Sequence, residues 1–131
     1  MTPPENAKAA ETRLSTLWID ENGVLYSAAK KNVPFTVENI TEYYDSVGKI
    51  TEGNNIYLCS DISEIAVPDK QSRDLIANKA LDYPFKAAAV ITKSKLSEAI
   101  GNIMLIWYKF PFPVKLFTDE DMAQDWLKQY Q

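Results

Sequence analysis

Histidine is absent from this 131-residue chain, and cysteine occurs once, as Cys59. The first absence removes the commonest general base and the commonest zinc ligand together. The second excludes an intrachain disulfide and suits a reducing compartment, the cytoplasm. Any metal site would have to be built from oxygens, and no cofactor is implied. Long apolar runs are also missing. The longest, Ile103 to Tyr108, is far too short to span a bilayer. Residues Met1 to Arg13 are polar and carry Pro3 and Pro4, so no secretory signal is expected. An excess of basic residues is missing too. The net charge of −4 argues against a nucleic-acid partner, which needs a basic face to meet phosphates. No G-x-x-x-x-G-K-[ST] loop, G-x-G-x-x-G fingerprint or G-x-S-x-G elbow is present. With no activated nucleophile or ligand cluster to name, an enzyme is not expected; a phosphotransfer carboxylate at Asp61 is the one conceivable exception.

What the chain does have is enough apolar residue for a single core. Forty-six per cent of its residues are apolar or aromatic and 24% are charged, as in an ordinary soluble domain. Residues 1–12 read as a flexible arm and 13–131 as one α/β domain. Leu14–Ile19 and Val24–Ala28 read as strands joined by Asp20-Glu21-Asn22-Gly23, where Asn-Gly signals a hairpin because both residues tolerate positive φ. Thr36 is a helix N-cap, followed by Val37, Ile40, Tyr44 and Val47 at helical spacing. Ile56–Cys59 is a short buried strand. A second helix starts near Asp69 and runs to Leu81 or Asp82. Lys86–Thr92, with Ala87-Ala88-Ala89-Val90-Ile91, is apolar on both faces, as a central parallel strand covered by helices should be.

Ser94 caps a third helix, Lys95–Tyr108, which Pro111 and Pro113 prevent from continuing. Val114–Phe117 is the last strand. Thr118 caps a fourth helix, Asp119–Tyr130, with Met122, Trp126 and Tyr130 as its apolar stripe. The order β-β-α-β-α-β-α-β-α predicts one mixed, mainly parallel sheet of about five strands flanked by four helices.

Four segments, taken in order, carry a resemblance. They are Leu17-Trp18-Ile19-Asp20-Glu21-Asn22-Gly23-Val24-Leu25, Ser60-Asp61, Ser97 to Asn102, and Pro113-Val114-Lys115-Leu116-Phe117-Thr118-Asp119 leading to Trp126-Leu127. Together they resemble the small bacterial SpoIIAA-like (STAS/CRAL-TRIO-like) proteins, from Leu14 to Tyr130. The resemblance implies a four- or five-stranded mixed sheet with four helices, but no single activity. Relatives include phosphorylated anti-sigma-factor antagonists, STAS modules of anion transporters and lipid carriers. In the antagonists a strand ends in Asp, and a second Asp followed by a phosphorylatable Ser opens the next helix. Asp61 and Asp69 match those positions, but Lys70 follows Asp69 and Ser72 falls two places late, which speaks against that phospho-switch.

Two regions remain as candidate sites. At the carboxyl ends of the central strands, Asp61, Ser63, Lys93 and Ser94 are expected to share one edge, with Asp69, Lys70, Ser72 and Arg73 opening the second helix nearby. A polar pocket or anion site is one reading; turn and helix capping is the plainer one. The second region is Ile103, Met104, Trp107, Tyr108, Phe110 and Phe112. A helix on a sheet buries only one face, so this excess points to a partner surface or an apolar pocket, unless the fourth helix and the Pro-Phe-Pro loop cover it. The reading that follows is a non-enzymatic domain recognising a protein partner, or itself as a homodimer, through the third helix and the start of the second. The alternative is an apolar-ligand or lipid module with peripheral membrane contact, its cavity lined by Ile103, Met104, Trp107 and Phe112.

Overall fold

The computed structural model describes residues 1–131. Ten elements follow one another: β1 (Lys8–Glu11), β2 (Ser15–Ile19), β3 (Val24–Ala29), α1 (Val37–Thr51), β4 (Ile56–Asp61), α2 (Lys70–Ala80), β5 (Phe85–Ile91), α3 (Lys95–Trp107), β6 (Val114–Phe117) and α4 (Glu120–Lys128). The strands form one sheet in chain order, β1-β2-β3-β4-β5-β6. β1, β2 and β3 pair antiparallel; β3 through β6 pair parallel.

This order determines where the helices go. Each of the three parallel crossovers steps to the next strand in the same direction. Right-handed connections of that kind place every crossover helix on one face. Accordingly α1, α2 and α3 share one face with Leu17, Leu25 and Leu58. α4 follows the last strand and covers the other face, over Cys59, Ala87, Ala89 and Ile91. Period-two alternation divides the strands cleanly: Leu17 and Leu25 meet α1, while Trp18 and Tyr26 stack on the α4 side at 5.4 Å.

The helix starts follow from single residues. Thr36, Asp69 and Ser94 each accept a hydrogen bond from the backbone three positions on, and Ser94 with Ser97 completes a capping box. The fourth helix departs by one position from the sequence reading: Asp119, not Thr118, is its cap. Its buried residues are Ala123 and Leu127, whereas Met122 is exposed. Trp126 and Tyr130 lie at the flank, packed on each other and, through Trp126, on Phe117. The expected Met122-Trp126-Tyr130 stripe is therefore rotated from the true contact face, because close packing on Ala87 and Ala89 favours a small residue at Ala123.

The arm expected over residues 1–12 carries a strand. Lys8–Glu11 pairs with Thr16–Ile19 and makes the sheet six-stranded. Backbone pairing forms it, helped by surface ion pairs Lys8–Glu52 and Glu11–Lys30, rather than an apolar pattern. The hairpin also differs in detail. Only Gly23 has positive φ, and Asp20 Oδ1 accepts from both Asn22 and Val24 backbone N–H groups. This is a three-residue loop whose left-handed residue is the glycine.

Candidate functional site

Small side chains on the middle of the sheet leave space beneath α3. On the three-helix face, β5 presents Ala88 and Val90, and β6 presents Val114 and Leu116. At one point α3 comes close: a Cβ on Gly101 would lie 3.0 Å from a Leu116 methyl, so glycine permits the approach. At the other end the Pro-Phe-Pro loop turns Phe110 and Phe112 inward. Tyr43, Tyr44, Tyr83, Phe85, Phe112 and Phe110 then form a continuous aromatic wall, with successive ring centroids 5.3 to 6.4 Å apart. Between wall, sheet and helices lies a cavity of about 210 Å³. Its lining is mostly apolar and includes Leu58, Ala88, Val90, Ile100, Met104 and Phe112.

The floor of this cavity carries three hydroxyls. Ser15, Ser27 and Ser60 have the same strand parity as the core leucines beside them and point to the same face. Ser27 Oγ accepts from Tyr43 Oη at 2.9 Å and donates to Ser15 Oγ at 3.3 Å. Burial pushes the Tyr43 hydroxyl above its usual range, and the bond to Ser27 opposes this in part. Tyr44 donates to the Ile76 carbonyl at 2.9 Å, and burial raises its hydroxyl strongly. Lys30, at the rim, is occupied: its ammonium reaches Glu11 Oε2 at 2.8 Å and Thr12 O at 2.6 Å.

The structure splits the apolar group expected on the third helix. Met104, Phe110 and Phe112 face the cavity. Ile103 and Trp107 face solvent, Trp107 being 75% exposed, so neither lines the cavity as the sequence reading had it. The cavity-lining residues of α3 are Ile100, Gly101, Met104 and Leu105, which leaves Ile103 across the helix from their centre; Trp107, the last residue of the helix, sits at the flank of that face and projects into solvent. Tyr108 does neither. Its hydroxyl donates to Asp74 and fastens the end of α3 to α2. That bond, followed by the Lys70 ion pair, holds the Asp74 carboxyl below the usual range, and the same bond raises Tyr108. The clasp thus requires an ionised Asp74 and a protonated Tyr108, the states both residues hold at neutral pH.

The polar edge is assembled much as expected in space, but its groups bind one another. Asp61 Oδ1 accepts from Ser63 N, Ser63 Oγ accepts from Lys93 N, and Ser94 Oγ donates to Ser63 O, each at 2.9 Å. Asp69 caps α2 at Ser72 N, and Ser72 Oγ donates to the Phe35 carbonyl at 2.8 Å. Hydrogen bonds from Ser72 lower the Asp69 carboxyl. Lys70 pairs with Asp74, and Arg73 donates to Pro68 O at 3.0 Å. The first set of contacts knots the β4 end to the start of α3; the second ties the start of α2 to Phe35, ahead of α1, and to Pro68, with Arg73 Nε buried and unpartnered, and no hydrogen bond joins the two sets. Cys59 is fully buried, and burial, with the nearby carboxylates Glu120, Asp61 and Asp20, pushes its thiol up to about 12.

Sequence reasoning had a cavity as its alternative, with Met104 and Phe112 among its lining, but missed the serines of its floor. Their signal was present, since Ser15-x-Leu17, Leu25-x-Ser27 and Leu58-x-Ser60 each put a serine on the inward parity.

A six-stranded mixed sheet with three crossover helices on one face and a fourth on the other is a SpoIIAA-like α/β fold. An uncharacterized protein of the DUF3478 family from Shewanella loihica PV-4, described with that fold, matches at a TM-score of 0.64 and 18% identity, over 97% of this chain and 99% of its own. The chain belongs to the family described as a domain of unknown function, DUF7793, whose model matches residues 17–131. No curated protein is significantly similar to it. No helix is long and apolar enough to cross a membrane.

Proposed function

We propose that this chain is a non-enzymatic binding module for a small apolar ligand, held between the sheet and α3. The observation that carries this reading is the cavity of about 210 Å³ in the three-helix face. Its walls are mostly apolar, so a compact apolar occupant gains by leaving water for contact with them. A cavity of ~150 Å³ with apolar walls takes up benzene, and drug-sized pockets begin near ~300 Å³. The fitting ligand is therefore compact. A free buried thiol keeps the reading compatible with the cytoplasm.

The test is a cavity-filling substitution with toluene as the probe. Ala88 is 4% exposed and lies on the cavity floor. Ala88→Leu is expected to keep or raise the melting temperature and to weaken toluene binding more than tenfold by NMR titration. Wild-type protein whose spectrum and melting temperature ignore saturating toluene would end the reading.

A second reading concerns the outside of α3. Leu96, Ala99, Ile103 and Ile106 recur at spacings of three and four residues, all on the exposed side, with Ile106 79% exposed. That is the pattern of a helix seam awaiting another helix. It favours recognition of a protein partner or of a second copy of this chain, independently of the cavity. If self-association is the use, sedimentation should show a dimer that Ile103→Ser with Ile106→Ser converts to monomer without loss of folding. A monomer at millimolar concentration would exclude the homodimer.

A further inference from the structure

Among the hydroxyls of the cavity floor, Ser60 stands apart. Ser15 and Ser27 bond each other, and Ser27 also receives Tyr43. Ser60 sits beside Ser27 in register across β3 and β4, is only 8% exposed, and lines the cavity. Its hydroxyl makes no hydrogen bond within the chain. It is not sealed in: Arg73 Nε is the one side-chain polar atom wholly buried without a partner, so the Ser60 hydroxyl keeps accessible surface, and what it meets is what enters the cavity it lines. The neighbouring hydroxyls of Ser15, Ser27 and Tyr43 are engaged with one another. No free charge enters the cavity either, because the Lys30 ammonium is taken by Glu11 and Thr12. An ionised head group would therefore be desolvated without compensation.

Resting on the apolar-ligand reading, we infer that the cavity selects a neutral, compact molecule bearing one hydrogen-bond acceptor, which Ser60 Oγ receives as donor. The apolar body lies against Ala88, Met104 and Phe112; the acceptor, a carbonyl or ether oxygen, points to the β4 floor. Ser60 thus orients the ligand, while the walls supply most of the affinity.

The experiment compares acetophenone with α-methylstyrene, which has the same shape with a methylene in place of the carbonyl oxygen. Both are titrated into wild-type protein and into Ser60→Ala by NMR. The substitution is expected to weaken acetophenone roughly five- to tenfold, the effect of one lost hydrogen bond, and to leave α-methylstyrene within about twofold. Equal weakening of both probes would make Ser60 a packing residue and overturn the inference. Unchanged acetophenone affinity would also overturn it, with water as the partner of the hydroxyl and the apolar cavity left standing. Binding of neither probe to wild type would remove the cavity reading itself. Should Ser60→Ala fold poorly, Ser60→Cys keeps the size with a weaker donor, and an acetophenone-specific loss is expected there too; its absence would count against the inference.

Discussion

Leu127→Ala is expected to destabilise the protein by about 2–5 kcal/mol and to open Cys59 to thiol reagents. Leu127 is fully buried on α4, and α4 is the single helix over its face of the sheet. On the opposite face three helices share the load, so a loosened contact there has neighbours to fall back on. Under α4 there are none except the flank formed by Trp126 and Tyr130. Cys59 lies directly below, and its thiol, held up to about 12, is unreactive while covered. Equilibrium unfolding in urea gives the stability change, and labelling with a chromogenic disulfide gives the exposure. A variant that lost less than ~1 kcal/mol and labelled no faster than wild type would show that α4 is not the seal described.

The second large effect is a contrast between adjacent residues. Ala88 and Ala89 are both buried, at 4% and 0% exposure, and point to opposite faces of β5. Ala89→Leu drives three extra carbons into the closely packed α4 face and should cost about 1–3 kcal/mol. Ala88→Leu enters open volume on the other side and should cost little or stabilise. Thermal melts of the two variants, made with the same chemical change one position apart, separate packing from composition. Equal destabilisation would mean that no usable space lies above Ala88.

Much of the architecture is written in short-range chemistry. Thr36, Asp69 and Ser94 announce helix starts, and the alanine-rich stretch of β5 announces a strand covered on both sides. The edge strand β1 escapes such reading because Lys8-Ala9-Ala10-Glu11 has no apolar alternation; pairing with β2 makes it a strand. The candidate site was legible in part. That Ile103 to Phe112 held something unusual followed from composition. That part of it turns inward and part outward depended on where α3 ends, at Trp107, and on the loop that folds Phe110 and Phe112 back onto the sheet. The cavity itself depends on how far α3 stands from the sheet, which Gly101 and the Phe110–Phe112 loop set through tertiary contacts that no local pattern encodes.

The chain-order arrangement of the strands has a consequence for how the molecule is made. Each new strand needs only its immediate predecessor as a template, so the sheet can be extended from one side as polypeptide leaves the ribosome. No strand has to be inserted between two already joined, and no early segment waits for a distant mate. The exception is the surface beneath α4, which stays wet until synthesis reaches that helix. Completion of this one element is the step that covers the second face of the growing sheet.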